Sequence, residues 1–181
     1  MSRQLFTLAF PETSPGARAW MDGVRAEHDQ GFSSRVAPHF TLVFGDSSVP
    51  EADYLQHVRT VAGTAPPFPF TCRRAVTGTD HQDETGYAFL VPDTGDSDIL
   101  ELRNQLHTGP FSGLLRADIP YVSHITVGRF ASVEAAGQIC DSLNASGIDV
   151  SGRITALTVV AMDTHGTIQE IQAIPLSGST A

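Results

Sequence analysis

The chain has 181 residues, of which 41% are hydrophobic and 17% charged, and its formal net charge is −9 at pH 7. These globular values exclude a wholly disordered, collagenous or coiled-coil chain and allow one domain or two tightly joined lobes. All 11 basic residues are Arg, which excludes P-loop, Schiff-base and pyridoxal-phosphate chemistry because each requires a lysine amine. The negative charge disfavours an extended grip on duplex nucleic acid, but it allows a small phosphate-bearing ligand held by a few local groups.

No apolar run reaches the ~18 residues of a transmembrane helix. The N-terminal segment, with one Arg and no small-residue cleavage site, predicts a strand and not a signal peptide. We therefore expect a cytoplasmic protein without a membrane partner. Cys72 and Cys140 lie far apart and outside any C-x-x-C motif, so each is interpreted as a small buried hydrophobe.

Hydrophobic periodicity in the first half predicts the order strand, helix, strand, helix, strand. These elements are a strand at 5–10, a helix opened by Pro15, a strand at 36–44, a helix from Pro50 to Gly63, and a strand at 68–76. The polar stretch 78–86 predicts a loop.

The second half predicts the same order. It comprises a strand at 87–91, a helix with Asp98 and Glu101 as a capping box, a strand at 122–130 after an irregular stretch at 109–120, a helix capped by Ser132, and a closing hairpin of 154–162 and 168–176. This is an internal duplication of architecture at an offset of 85 residues, measured from His39 to His124. We expect a single bilobal domain over 1–176, with halves 1–85 and 86–176, and a flexible tail at 177–181.

Equivalent strands of the two halves carry one short pattern, His39-Phe40-Thr41-Leu42 and His124-Ile125-Thr126-Val127. Residues i and i+2 of a strand share a face, so each strand presents an imidazole beside a hydroxyl while the apolar residues enter the core. About 0.7 His-x-Thr matches arise by chance at this composition, and a third match, His165-Gly166-Thr167, falls in a predicted turn without apolar partners. The other two matches have an apolar residue after the His and after the Thr, and they lie in equivalent strands. They therefore indicate a functional site.

Two histidines can supply one neutral base and one protonated acid at the same pH, as in-line displacement at phosphorus requires. The threonine hydroxyls can donate to phosphoryl oxygens, so this chemistry needs no metal. The alternatives are structural histidines or a zinc site. The other histidines show no ligand spacing with one another or with the cysteines, and we expect neither metal nor cofactor. They are His28, His57, His81, His107 and His165.

With these motifs the sequence resembles the two-histidine (2H) phosphoesterase superfamily, in particular the bacterial 2',5' RNA ligase and cyclic phosphodiesterase proteins. The resemblance extends over nearly the whole chain, from residues 38–45 and the strand entry at 67–70 to residues 124–129 and the last strand at 174–176. It implies an α+β fold with two antiparallel sheets facing a central pseudo-twofold cleft and helices outside.

The resemblance further implies that His39, Thr41, His124 and Thr126 are catalytic. Arg129 matches an Arg that often follows the second motif in these relatives, and a β-bulge at Gly128 would turn it toward the site. For substrate binding we predict Arg129, together with Tyr121 and Phe44 as aromatic platforms, with Phe111 a weaker candidate. Tyr121 is preferred because it precedes the catalytic strand in a loop.

The sequence therefore predicts a monomeric, metal-independent phosphodiesterase acting on a 2',3'-cyclic phosphate, to give a 2'-phosphate, or on a 2',5'-linked nucleotide. Its expected partner is a small nucleotide or RNA-end phosphodiester, with His124 as base and His39 as acid in ring opening. Three alternatives remain: a hydrolase of another cyclic nucleotide, an RNA 2',5' ligase, and a non-catalytic nucleotide-binding module.

Overall fold

A computed structural model describes residues 3–79, 84–115 and 120–179 of the chain. In those residues the strands are β1 (Gln4–Ala9), β2 (Glu12–Thr13), β3 (Phe40–Asp46), β4 (Phe68–Thr79), β5 (Gly86–Thr94), β6 (Ile125–Phe130), β7 (Val150–Ile154), β8 (Ala156–Met162) and β9 (Ile168–Pro175). The helices are α1 (Pro15–His28), α2 (Gln30–Ser33), α3 (Glu51–Thr64), α4 (Asp96–Leu106) and α5 (Val133–Ser146), and Gly109–Leu114 forms a 3₁₀ helix.

Both predicted series of elements are present. The predicted strands 36–44 and 122–130 begin later than expected, at Phe40 and Ile125, so each motif histidine lies just before its strand. Two of the helix starts have the expected local chemistry. Pro15 opens α1 behind a Ser14 cap, and the Ser132 hydroxyl accepts a hydrogen bond from the amide of Ala135 at 3.2 Å at the start of α5. The predicted cap at Asp98 is wrong, because α4 begins at Asp96 after Gly95, whose φ is 84°. A Cβ on Gly95 would also lie 2.5 Å from the Pro69 carbonyl oxygen, so the turn into this helix requires glycine.

The strands form one antiparallel sheet of nine, in the order β2-β7-β4-β5-β6-β3-β1-β8-β9. The predicted α+β fold with antiparallel strands and helices outside is confirmed. The two predicted sheets are continuous, because β3 and β6 pair in the middle through Phe40 and Ile125. The internal duplication stays a prediction.

Different helices cover the two sides of the sheet centre. α1 and α5 pack against the β4-β5-β6 side, α3 packs against β8, β9 and α4, and α4 packs against β3 and also contacts β5. Phe40 and Ile125 are both fully buried beneath these helices, and Phe40 packs edge to face on Phe70 with ring centroids 5.2 Å apart. The two motif strands are therefore anchored at the centre of the core, which directs their other face away from it.

The segment after β9 is held at its start. Ser177 donates its amide hydrogen to the Ala62 carbonyl and Gly178 to that of Ala65, each at 3.0 Å, so the predicted tail 177–181 is anchored at its first two residues. Residues 180 and 181 lie outside the described residues, as do 80–83 of the predicted loop, which include His81, and 116–119 of the predicted irregular stretch. Cys72 and Cys140 are free thiols and buried, as predicted. No helix in the described ranges has both the length and the apolar character needed to cross a membrane.

Candidate active site

The four motif residues share one face of the sheet. β3 and β6 pair through their first residues, Phe40 and Ile125, so His39 and His124 lie just before the two strands. Continuing the register by one residue on each side sets His39 opposite Thr126 and His124 opposite Thr41. Antiparallel partners lie on the same face, and diagonal neighbours, the relation of His39 to His124, are typically about 7–8 Å apart. This spacing leaves room for one phosphate between the imidazoles.

Each imidazole is fixed by the backbone two residues before it. His39 Nδ1 donates to the Ala37 carbonyl at 2.7 Å, and His124 Nδ1 donates to the Val122 carbonyl at 2.6 Å. A carbonyl only accepts, so both Nδ1 atoms carry hydrogen and the neutral form of each ring has its lone pair on Nε2. In the described residues neither Nε2 has a hydrogen-bond partner, so both can meet a ligand.

Burial changes the pKa values of both histidines. It lowers the pKa of His39 to about 4, helped by the positive charges of Arg25 and His124 and opposed by the hydrogen bond to Ala37. The pKa of His124 is lowered by burial as well, against the hydrogen bond to Val122. Both rings are thus neutral near pH 7 in the ligand-free protein.

The segment before β3 is held by a buried ion pair between Arg25 of α1 and Asp29, the residue that caps the C-terminus of α1. Arg25 is 3% exposed and Asp29 is 6% exposed, and Arg25 Nη2 lies 3.6 Å from the Asp29 carboxylate. The same nitrogen donates to the Val36 carbonyl at 2.8 Å. Arg25 therefore positions the segment that ends at His39, and the site depends on α1 as well as on its own strands.

An aromatic ring from a neighbouring part of the chain backs each histidine. Phe10, just after β1, contacts His39 edge to face with ring centroids 5.7 Å apart. Phe89 on β5 stacks on His124 at 3.7 Å and 21°, and Tyr87 stacks on Phe89 in turn at 5.7 Å. These three aromatic residues were not predicted from the sequence. Their only signal was alternation along a strand, which does not specify the neighbouring strand.

Arg129 lies on the catalytic face. β5 pairs Phe89 with Thr126 but Ala88 with Gly128, so Val127 is an extra residue and β6 has the predicted bulge. Because of the bulge, Arg129 lies on the same face of the sheet as Tyr87 and Thr126. The Arg129 guanidinium is 5.6 Å from the Tyr87 ring centroid. Its role in substrate binding stays a prediction, now with a geometry that permits it.

The other predicted binding residues lie in different environments. Tyr121 donates its hydroxyl hydrogen to the Thr41 carbonyl at 2.9 Å, and the Arg103 guanidinium covers its ring at 4.1 Å. Tyr121 therefore ties the segment before β6 to β3. Phe44 is 53% exposed, and Phe111 is fully buried against Tyr54 and His57. Phe111 is thus a core residue, while substrate contacts by Tyr121 and Phe44 stay predictions.

The two threonines complete the group. Thr41 and Thr126 are half-buried, and within the described ranges neither hydroxyl hydrogen-bonds to another group. Each can donate to a phosphoryl oxygen held between the histidines. Among the described residues no group of three or more His, Cys, Asp or Glu side chains is placed to hold a metal ion.

An antiparallel sheet with helices outside, carrying two His-x-Thr strands paired at its centre, defines the class of two-histidine phosphoesterases. The sequence matches the profile of the 2'-5' RNA ligase superfamily over residues 11–166. The chain belongs to that superfamily.

Solved structures show the same fold at low sequence identity. TT0787 of Thermus thermophilus superposes with a TM-score of 0.63 at 17% identity, covering 98% of this chain and 100% of that one. E. coli LigT complexed with 3'-AMP gives 0.59 at 19% identity, covering 97% and 98%. Kluyveromyces marxianus Usb1 gives 0.58 at 13% identity, covering 96% and 98%. Among curated proteins none matches this sequence.

Proposed function

We propose that the protein is a metal-independent phosphodiesterase that opens 2',3'-cyclic phosphates to 2'-phosphates or cleaves 2',5'-linked nucleotides. The observation that carries this proposal is the shared face of His39, Thr41, His124 and Thr126, which follows from the Phe40–Ile125 register. Membership of the 2'-5' RNA ligase superfamily supports a phosphoester substrate.

In the proposed reaction, water attacks phosphorus while one Nε2 accepts its proton. The bond from phosphorus to the 3'-oxygen breaks, and the protonated Nε2 of the second histidine donates its proton to that oxygen. The Thr41 and Thr126 hydroxyls stabilise the charge on the non-bridging oxygens. The near-twofold pairing of the motifs lets either histidine act as base, and for ring opening we assign His124 as base and His39 as acid.

The ligand-free protein holds both imidazoles neutral, so the acid must gain its proton with the substrate. A bound phosphodiester carries one negative charge, and an anion within a few ångströms raises the pKa of a histidine. Binding of the substrate anion thereby favours the protonated histidine that acts as the general acid. E. coli LigT has been crystallised with 3'-AMP and with NADP⁺, which supports a small nucleotide as the ligand of this chain.

The test is hydrolysis of 2',3'-cyclic AMP, CMP, GMP and UMP in EDTA, with 2'- and 3'-monophosphates separated. We expect 2'-phosphate from the wild type, and His39→Ala or His124→Ala should each lower turnover by about 10²- to 10⁴-fold, the contribution of a general acid or base. His165→Ala is the matched control, because His165 belongs to the third His-x-Thr match in the β8–β9 turn and should leave turnover unchanged.

Full activity in both single variants would contradict the two-histidine mechanism. Tight nucleotide binding without product over long incubation would instead favour the non-catalytic binding module. Activity confined to 2',5'-linked nucleotides would select the second of the two proposed substrates, and activity confined to larger cyclic substrates would keep the mechanism and change the substrate.

A further inference from the structure

A pocket of about 350 Å³ adjoins His39. Two of its lining residues contact that histidine directly: Phe10 through its ring and Ala37 through the carbonyl that accepts from Nδ1. The volume lies near the lower end of the ~300–1,000 Å³ of small-molecule sites, which suits one nucleoside unit and not an oligonucleotide.

The pocket opens on the catalytic face of the sheet. Thr41 on β3 pairs with Leu8 on β1. Phe6, two residues before Leu8 on β1, pairs with Val160 on β8. Val160 in turn pairs with Glu170 on β9. Pairing partners and i, i+2 neighbours share a face. Glu170 therefore lies on the same face as Thr41 and His39, across β1 and β8 from them.

The pocket combines apolar walls with one cation and one anion. Its walls are formed by Phe10, Val36, Val160 and Ile168, and its charged lining residues are Arg35 and Glu170. In the part of the chain that the structure describes, neither charged side chain forms an ion pair. The Arg35 guanidinium lies 5.4 Å from the Phe32 ring centroid, and its Nη1 reaches the β8–β9 turn at Gly166.

We propose that this pocket binds the base of the substrate and selects guanine, with Phe10 as the stacking surface and Arg35 and Glu170 as the specificity-determining residues. The proposal rests on the proposed function, since it names the base of the nucleotide whose phosphate lies between the histidines. A planar base between Phe10 and the aliphatic walls places its ribose toward His39, because Phe10 contacts both the pocket and that ring.

Guanine matches the two charged groups better than the other bases. Arginine binds its O6 and N7 acceptors bidentately, and a carboxylate accepts from both N1–H and N2–H₂. Adenine and cytosine each offer a carboxylate one exocyclic amine beside a ring acceptor, which repels the anion. Uracil offers one N–H between two carbonyls. Only guanine satisfies both side chains through paired hydrogen bonds.

The experiment measures kcat/KM for the four 2',3'-cyclic nucleotides and, independently of turnover, calorimetric binding of 3'-GMP, 3'-AMP, 3'-CMP and 3'-UMP. We expect the guanine nucleotide to be preferred by about tenfold or more in both assays. Glu170→Gln should remove most of that preference, because an amide presents a donor where guanine also presents one. Glu134→Gln, at an exposed carboxylate in α5, changes the net charge equally and should keep the preference.

The two assays separate the pocket from the reaction. Histidine-dependent turnover without a guanine preference overturns the pocket assignment and leaves the phosphodiesterase. Selective binding of 3'-GMP that Glu170→Gln abolishes, without turnover of any cyclic nucleotide, supports the pocket and overturns the proposed reaction. Equal binding of all four monophosphates, or a preference that Glu170→Gln does not change, overturns the pocket.

Discussion

His39 and His124 donate Nδ1–H to backbone carbonyls and have lowered pKa values, so the free protein presents two neutral Nε2 atoms near pH 7. A pair in this state has a base but no acid. The productive form of the free protein is the one that carries a single proton on the pair, and its population grows as the pH falls toward the lowered pKa values.

This protonation predicts an acidic pH profile. We expect kcat/KM to rise as the pH falls from about 8 to about 6 and to reach its maximum below ~6.5, the ordinary pKa of histidine. A cyclic phosphodiester keeps its single charge over this range, so the substrate does not add a limb to the profile. Steady-state rates with a 2',3'-cyclic nucleotide across this range provide the measurement, and a maximum above neutrality would contradict it.

At the scale of elements, β5 orients the second motif. Phe89 stacks on His124 with ring centroids 3.7 Å apart, and Tyr87 stacks on Phe89 with ring centroids 5.7 Å apart. The stack restricts rotation of the imidazole about its Cβ and keeps water from one of its faces. Because burial is the main cause of the lowered pKa of His124, β5 contributes to the charge state of a residue just before β6.

Phe89→Leu tests this contribution. We expect about a tenfold fall in kcat from loss of orientation, and a shift of the kcat/KM maximum to higher pH because a smaller side chain admits water and lets the pKa of His124 return toward its ordinary value. Phe89 is a positioning residue, so the shift in pH is the informative readout. Phe130→Leu makes the same change on β6 beside His28, away from His124, and should leave the maximum in place. An unshifted maximum in Phe89→Leu would show that β5 only supports packing.

The sequence predicted the features of this site that depend on a pattern within one strand and missed those that depend on which strands pair. Alternation along one strand placed His39 with Thr41 and His124 with Thr126, and glycine at position 128 suggested the bulge that brings Arg129 to their face. Hydrophobic periodicity does not indicate which strands pair, so the contacts of Phe10 with His39 and of Phe89 with His124 were not predicted. The strand β7 was also missed, because five residues with a central glycine, VSGRI, give little period-two signal.

At the scale of the whole molecule, the two motif strands lie side by side in the middle of one sheet. β6 and β3 are the fifth and sixth of its nine strands, so each motif strand is flanked on both sides and neither histidine lies at an exposed edge. The buried Arg25–Asp29 pair adds a link from α1 to the segment before β3. Both imidazoles are therefore held by the fold as a whole, and folding must keep them neutral.

The neutral histidines should make the fold sensitive to acid. Their pKa values are lowered in the folded protein, to about 4 for His39, whereas in the unfolded chain they are near ~6.5. The unfolded chain therefore binds more protons between these values, so the free energy of unfolding decreases as the pH falls from about 6.5 toward about 4. The contribution is fully present above this window.

Denaturant unfolding of the wild type and of the double variant His39→Gln, His124→Gln at several values between about pH 7 and about pH 4.5 measures this contribution. We expect the free energy of unfolding to fall less steeply with acid in the variant, since glutamine does not titrate. Carboxylates and His107, whose pKa is also lowered mainly by burial, titrate in both proteins and cancel in the comparison. Parallel curves would mean that the two imidazoles exchange protons equally in the folded and unfolded chains, which contradicts their burial as the cause of neutrality.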